Sequence, residues 1–109
     1  MAGPPIANLE KLLGTPRDGA LLRYSLGCEY LKAGEPARAV EHLRAAVERE
    51  PRYSAAWKML GKALAESGRA AEAAEAYRSG IEAARAKGDR QAEKEMSVFL
   101  RRLERDRAG

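Results

Sequence analysis

The sequence predicts an all-α fold of stacked antiparallel helix hairpins, and three observations carry that prediction. A string of apolar and small residues is stated twice, 34 positions apart: Leu26, Gly27, Tyr30, Gly34, Ala39, Leu43 and Ala46 are answered by Leu60, Gly61, Leu64, Gly68, Ala73, Tyr77 and Gly80. A period of that length belongs to arrays of helical hairpins. Within each copy the apolar positions recur at three- and four-residue steps, the spacing of one helix face. Punctuation falls between the faces: Gly34 and Gly68 stand where a helix ends in a left-handed residue, Pro36 where the next helix begins, and Pro51 where the first copy closes.

The elements follow in order. Residues 6–13 read as a short helix with Ile6, Leu9, Leu12 and Leu13 on one face, stopped by Gly14, Thr15 and Pro16. Stepping back 34 positions from Leu43, Ala46 and Val47 lands on Leu9, Leu12 and Leu13, so this helix is a half repeat that covers the N-terminal side of the stack. Asp18 is the expected N-cap of a helix over 19–33, its carboxylate accepting from the free N–H groups of the first turn. The second helix of that pair covers 36–49. Ser54 is the expected cap of a helix that carries Trp57, Leu60 and Leu64 to about residue 67, and 70–87 completes the second pair. Asp89 opens a last helix with Ala92, Met96, Phe99, Leu100 and Leu103 as its apolar stripe, in a phase that differs from the repeat as a terminal cap requires.

The chain is therefore expected to be one domain over 1–109: half repeat 6–13, repeat one 20–53, repeat two 54–87, capping helix 89–106. Arrays of this kind usually need about three units to bury a continuous core, and the flanking helices supply the third. Gly27 and Gly61 each cost up to about 1 kcal/mol of helix propensity against Ala. Their recurrence predicts close approach of the neighbouring helix backbone, with Ala39 and Ala73 as the small partners. Trp57, Tyr30, Tyr77 and Phe99 fall in the apolar stripes and are expected in the core.

This register resembles a tetratricopeptide repeat, from Ala20 to about Arg85 without a gap. The resemblance rests on Leu26, Gly27, Tyr30, Ala39, Leu43, Ala46 and Pro51 in the first unit, and on Trp57, Leu60, Gly61, Leu64, Ala73, Tyr77 and Ile81 in the second. Arg23 departs from it where the second unit has Trp57, Gly80 replaces the usual Ala, and Arg85 replaces the closing Pro, so no regular third unit follows. The resemblance implies a right-handed α-α superhelix of about six helices, of the small bacterial type. It also implies that the first helix of each pair lines a concave groove for a peptide or helix of a partner protein. The matching slots hold Leu21, Tyr24, Ser25, Cys28, Leu31 and Lys32 in repeat one, and Ala55, Lys58, Met59, Lys62, Ala65 and Glu66 in repeat two. Such a groove is apolar and aromatic at one end and basic near Lys58 and Lys62, which suits a peptide with a hydrophobic anchor for Tyr24 and acidic neighbours. A subset of the family grips terminal carboxylates of chaperones with Lys and Asn. Those slots here hold Tyr24, Cys28 and Met59, with Asp89 and Glu93 further on, so that clamp is absent.

Composition narrows the remaining choices. The formal charge of +4 comes from 20 basic against 16 acidic residues mixed along 109 positions, which describes a solvated surface rather than a nucleic-acid footprint. Cys28 is the only cysteine, which excludes an internal disulfide framework and makes the cytoplasm the expected compartment. The N-terminal stretch lacks a basic segment followed by an apolar run, and no run of about 18 apolar residues occurs, so neither secretion nor membrane spanning is expected. The Ala- and Arg-heavy usage suits a bacterial genome rich in G and C.

Chemistry is thinly supplied. His42 is the only histidine, off the apolar stripe, and is expected to be solvated; it cannot build a two-histidine metal site. Cys28 has no base or cation beside it in sequence and reads as a packed or half-exposed thiol. Glu48 with Glu50, and Glu93 with Glu95, are two apart and point to different sides of a helix. No enzyme, cofactor or metal is expected. Three alternatives to partner binding stay open: a groove closed by the N-terminal helix over Leu21, Tyr24 and Leu31, a homo-oligomer joined through the same residues, and nucleic-acid association through Arg101, Arg102, Arg105 and Arg107, which Glu104 and Asp106 interrupt.

Overall fold

In the computed structural model, which describes residues 4–108, the described residues form six helices and no strand: α1 (Pro4–Glu10), α2 (Ala20–Lys32), α3 (Pro36–Arg49), α4 (Ser54–Glu66), α5 (Ala70–Lys87) and α6 (Arg90–Ala108). The ends of α2 and α4 are set by one device. Gly34 and Gly68 both sit at φ +76°, a region open to glycine at no steric cost. Glu35 N–H then donates to Tyr30 O and Gly34 N–H to Leu31 O, a pairing repeated by Arg69 to Leu64 and Gly68 to Ala65. Gly88, which the sequence reading left unmarked, closes α5 the same way at φ +73°. Pro36 occupies the first turn of α3, where its missing N–H costs no bond.

The hairpins stack in two rows. Helices α2, α4 and α6 lie side by side, with α3 and α5 behind them, while α1 packs on α2. Leu26, Tyr30, Leu43, Leu60, Leu64 and Met96 are the large side chains wholly withdrawn from solvent between the rows. Buried Leu22 and Leu26 of α2 correspond to Ala56 and Leu60 of α4, 34 positions on, and then to Ala92 and Met96 of α6, 36 positions on. So α6 is not out of phase with the repeat. It takes the place of a third first helix, two residues late, because α5 has 18 residues where α3 has 14 while the connection after it has two residues, 88–89, where that after α3 has four, 50–53.

Glycine does not serve backbone contact as expected. A Cβ on Gly27 would run into the side chain of Leu43, and one on Gly61 into the ring of Tyr77. Ala39 and Ala73 are wholly buried, but the groups seated on the glycines stand one turn further along α3 and α5. Gly80 repeats the device across the next interface: a Cβ there would meet Met96 and Trp57.

Four local expectations are corrected. Helix α1 spans 4–10 rather than 6–13, since Leu12 and Leu13 N–H already bond three residues back, to Leu9 and Glu10, in turns that lead to Gly14 at φ +76°. Leu12 and Leu13 still pack against the core. Asp18 is not the cap of α2, a position held by Gly19; its carboxylate accepts from Gly14 N–H at 3.0 Å and from Arg23 Nε and Nη2 at 2.9 and 3.1 Å, with Arg49 at 3.9 Å. Ser54 lies inside α4 after Tyr53 and is buried; its hydroxyl donates to Asp89 Oδ2 at 3.3 Å, while Asp89 Oδ1 accepts from Ala92 N–H and caps α6. His42 is half-buried, its ring parallel to that of Tyr30 at 5.5 Å, and burial followed by the Arg23 charge lowers its pKa.

The Asp18 contacts tie the α1–α2 loop to α2 and α3, and they favour the carboxylate. The hydrogen bond from Arg23, then that from Gly14, holds its pKa at about 2 against an ordinary 3.8. An unfolded chain takes up this proton near pH 4, whereas the folded chain resists until about pH 2. The stabilisation is thus complete above pH 4 and drains as pH falls towards 2. Asp18→Asn is expected to lower the thermal midpoint at neutral pH and to flatten its fall between pH 4 and 2. Midpoint-against-pH curves that run parallel for parent and variant would contradict the assignment.

Candidate functional site

The row α2, α4, α6 leaves a furrow on either side of α4. The first, of about 760 Å³, has Leu9, Tyr24, Cys28, Leu31 and Met59 as its apolar lining, with Glu29, Lys32, Lys62 and Glu66 along its edges. Helix α1 contributes Pro5, Asn8 and Leu9 to it and so forms a wall without filling it. That wall is anchored by buried Ile6 and by Glu10, whose Oε2 accepts from the Tyr30 hydroxyl at 2.6 Å. The second furrow, of about 450 Å³, lies between α4 and α6 on Met59, Ala65, Tyr77 and Phe99, with Lys58, Lys62, Glu66 and Glu95 around it. Met59, Lys62 and Glu66 border both, forming the ridge between them.

Of the slots named from sequence, Tyr24, Ser25, Cys28, Leu31, Lys32, Lys58, Met59, Lys62, Ala65 and Glu66 line these furrows. Leu21 and Ala55 do not; Leu21 stands 69% exposed outside both. The sequence reading left open whether the N-terminal helix covers the groove, where α1 instead forms a wall, and it missed Glu29 and the α6 side. Phe99, expected in the core, is 37% exposed and lies tilted against buried Tyr77 with ring centroids 5.8 Å apart. One signal could have placed α6, since shifting the α4 pattern by 36 positions instead of 34 brings it into the row, but Phe99 then falls on the position of buried Ala63 and its exposure was not legible.

Tyr24 is held rather than free. Its ring lies 5.0 Å from that of Tyr53, and burial, followed by the neighbouring Cys28, pushes the phenol up to about 12. Burial likewise raises the Cys28 thiol, against the smaller pull of Tyr24, Lys32 and Lys62. The site therefore presents a neutral phenol and a neutral thiol near pH 7. No group of three or more His, Cys, Asp or Glu among the described residues could hold a metal ion.

The basic end is less basic than its lysines suggest. Lys58 Nζ lies 3.0 Å from Glu95 Oε1, and this contact is the first cause that lowers the Glu95 pKa. Lys32 lies 3.2 Å from Glu29. Lys62 is left without an ion-pair partner among the described residues, at the centre of the ridge. Arg101 borders a hollow of about 440 Å³ between α5 and α6 with Arg78 and Arg85, which pair with Glu104 and Glu93, and Arg102, Arg105 and Arg107 are also exposed on α6. No helix among the described residues is long and apolar enough to cross a membrane.

Comparison with known proteins agrees with the fold. A tetratricopeptide repeat family model matches residues 24–89. A TPR repeat-containing protein of Pseudomonas aeruginosa is 53% identical over 102 residues, covering 94% of this chain and 97% of its own. The solution structure of a protein from Bordetella parapertussis superposes with a TM-score of 0.82 at 44% identity, over 99% of this chain and 93% of that one. A tetratricopeptide repeat domain protein from Salinibacter ruber gives 0.72 at 30% identity, over 78% and 96%.

The pairing of Lys58 with Glu95 joins α4 to α6 at the surface, where such contacts contribute little. Lys58→Glu is expected to lower the thermal midpoint by a few degrees at most, and the exchanged pair Lys58→Glu, Glu95→Lys to recover it. Recovery that fails at low salt would show that Lys58 is not engaged by Glu95.

Proposed function

The chain belongs to the tetratricopeptide repeat family, and on that footing we propose that it is a protein–protein interaction module which holds a partner segment in the furrows along α2, α4 and α6. One observation carries the reading. The furrow between α2 and α4 keeps five apolar side chains, Leu9, Tyr24, Cys28, Leu31 and Met59, in an open trough whose wall α1 is itself pinned to the core. Its lining is on helices already fixed by packing, so a partner meets a surface with little left to order. Anchoring energy in such contacts concentrates on a few apolar side chains in pockets, with charged edges setting orientation. Tyr24 and Met59 are the anchors in this reading and Lys62 the charge reader. No catalytic step is assigned to the site.

The same face would serve a second copy of the chain, so the test separates these two outcomes. Met59→Arg with Lys62→Glu alters exposed and half-buried positions on the ridge and is expected to leave the helical spectrum unchanged. A partner captured from host lysate by the parent should bind this variant at least tenfold more weakly, a loss of about 1.4 kcal/mol or more. Equal binding by both proteins overturns the groove reading. A mass by light scattering that rises with concentration for the parent alone favours self-contact.

A further inference from the structure

Resting on the groove reading, we infer the chemistry of the occupant: an extended peptide with two apolar side chains three residues apart and a single acidic residue between them. Two apolar floors flank α4, one on Leu9, Tyr24 and Leu31, the other on Tyr77 and half-open Phe99, and they meet only over the ridge of Met59, Lys62 and Glu66. Packed helices stand roughly 8–10 Å apart, so the two floors are separated by about one such step. A polyproline-type chain rises about 3.1 Å per residue and returns to the same side every third residue. Side chains at i and i+3 therefore fall about 9 Å apart on one face and reach both floors as the backbone crosses α4.

Charge fixes the residue between them. Of the three furrow lysines, Lys32 and Lys58 are already answered by Glu29 and Glu95, and Lys62 on the ridge is the one without a partner among the described residues. One carboxylate at an intermediate position, turned to the flank of the backbone as it crosses the ridge, comes within reach of the long Lys62 side chain. A second finds no free lysine and meets Glu66, which has no ion-pair partner among the described residues, on the same ridge. The groove thus reads one acid between two apolar anchors, and a run of acids is disfavoured.

A phage library of random dodecapeptides, selected on the full chain, tests this directly. Enriched sequences are expected to share an apolar-x-x-apolar core with one Asp or Glu inside it. Synthetic versions should lose at least tenfold in affinity when that acid becomes Lys, and selection on Lys62→Glu should replace the acid with Lys or Arg. Peptides that lose binding to Met59→Arg but show no such spacing, or prefer several acids, overturn the inference and leave the groove reading standing. Peptides that bind Met59→Arg as well as the parent, or a library from which nothing is enriched, overturn both.

Discussion

The contact on which the rest of the structure depends is a large side chain seated on a glycine. Leu43 rests on Gly27 and Tyr77 on Gly61, each joining the second helix of a hairpin to the first, and Met96 with Trp57 closes over Gly80 to bring in α6. Glycine inside a helix is costly by propensity alone. At these three positions the missing Cβ is the space that the facing side chain fills, so the same residue that weakens the isolated helix sets how closely two helices pack. Because the device recurs, the first helices are held at matching offsets, and their outer sides form a row rather than a scatter.

From that row the site follows. Helices α2, α4 and α6 turn their buried stripes inward and leave Tyr24, Cys28, Met59 and Phe99 facing the spaces between them. Helix α1 finishes the trough at one end, held by Ile6 in the core, by Glu10 on Tyr30 and by the Asp18 turn. Charge is then nearly balanced across the surface, with Lys58 and Lys32 engaged by carboxylates and Lys62 left on the central ridge.

Most of the architecture was legible in the sequence because it is local and repeated. The spacing of Leu26, Tyr30 and Gly34 states a helix face and its end within nine residues, and the copy at Leu60, Leu64 and Gly68 confirms the register. Caps were harder to read. Asp18 and Ser54 each look like an N-cap from neighbouring residues, but Arg23 and Arg49 claim the first from α2 and α3, and Asp89 claims the second from 35 positions away. His42 looked solvated because its helix position is polar; its parallel stacking on Tyr30 is a contact between helices that periodicity does not encode. The site was read across two helices and extends over five, since the longer α5, with its shorter following turn, shifts α6 by two residues and hides its place in the row.

The claim that glycine is retained as a seat for a facing side chain is tested most directly by the thermal midpoint of Gly61→Ala. Helix propensity alone would raise it, by up to about 1 kcal/mol of stability. The packing described above puts the new methyl into the Tyr77 ring, and overpacking of this kind typically costs about 1–3 kcal/mol, so the midpoint is expected to fall by several degrees. A midpoint equal to or above that of the parent would contradict the account.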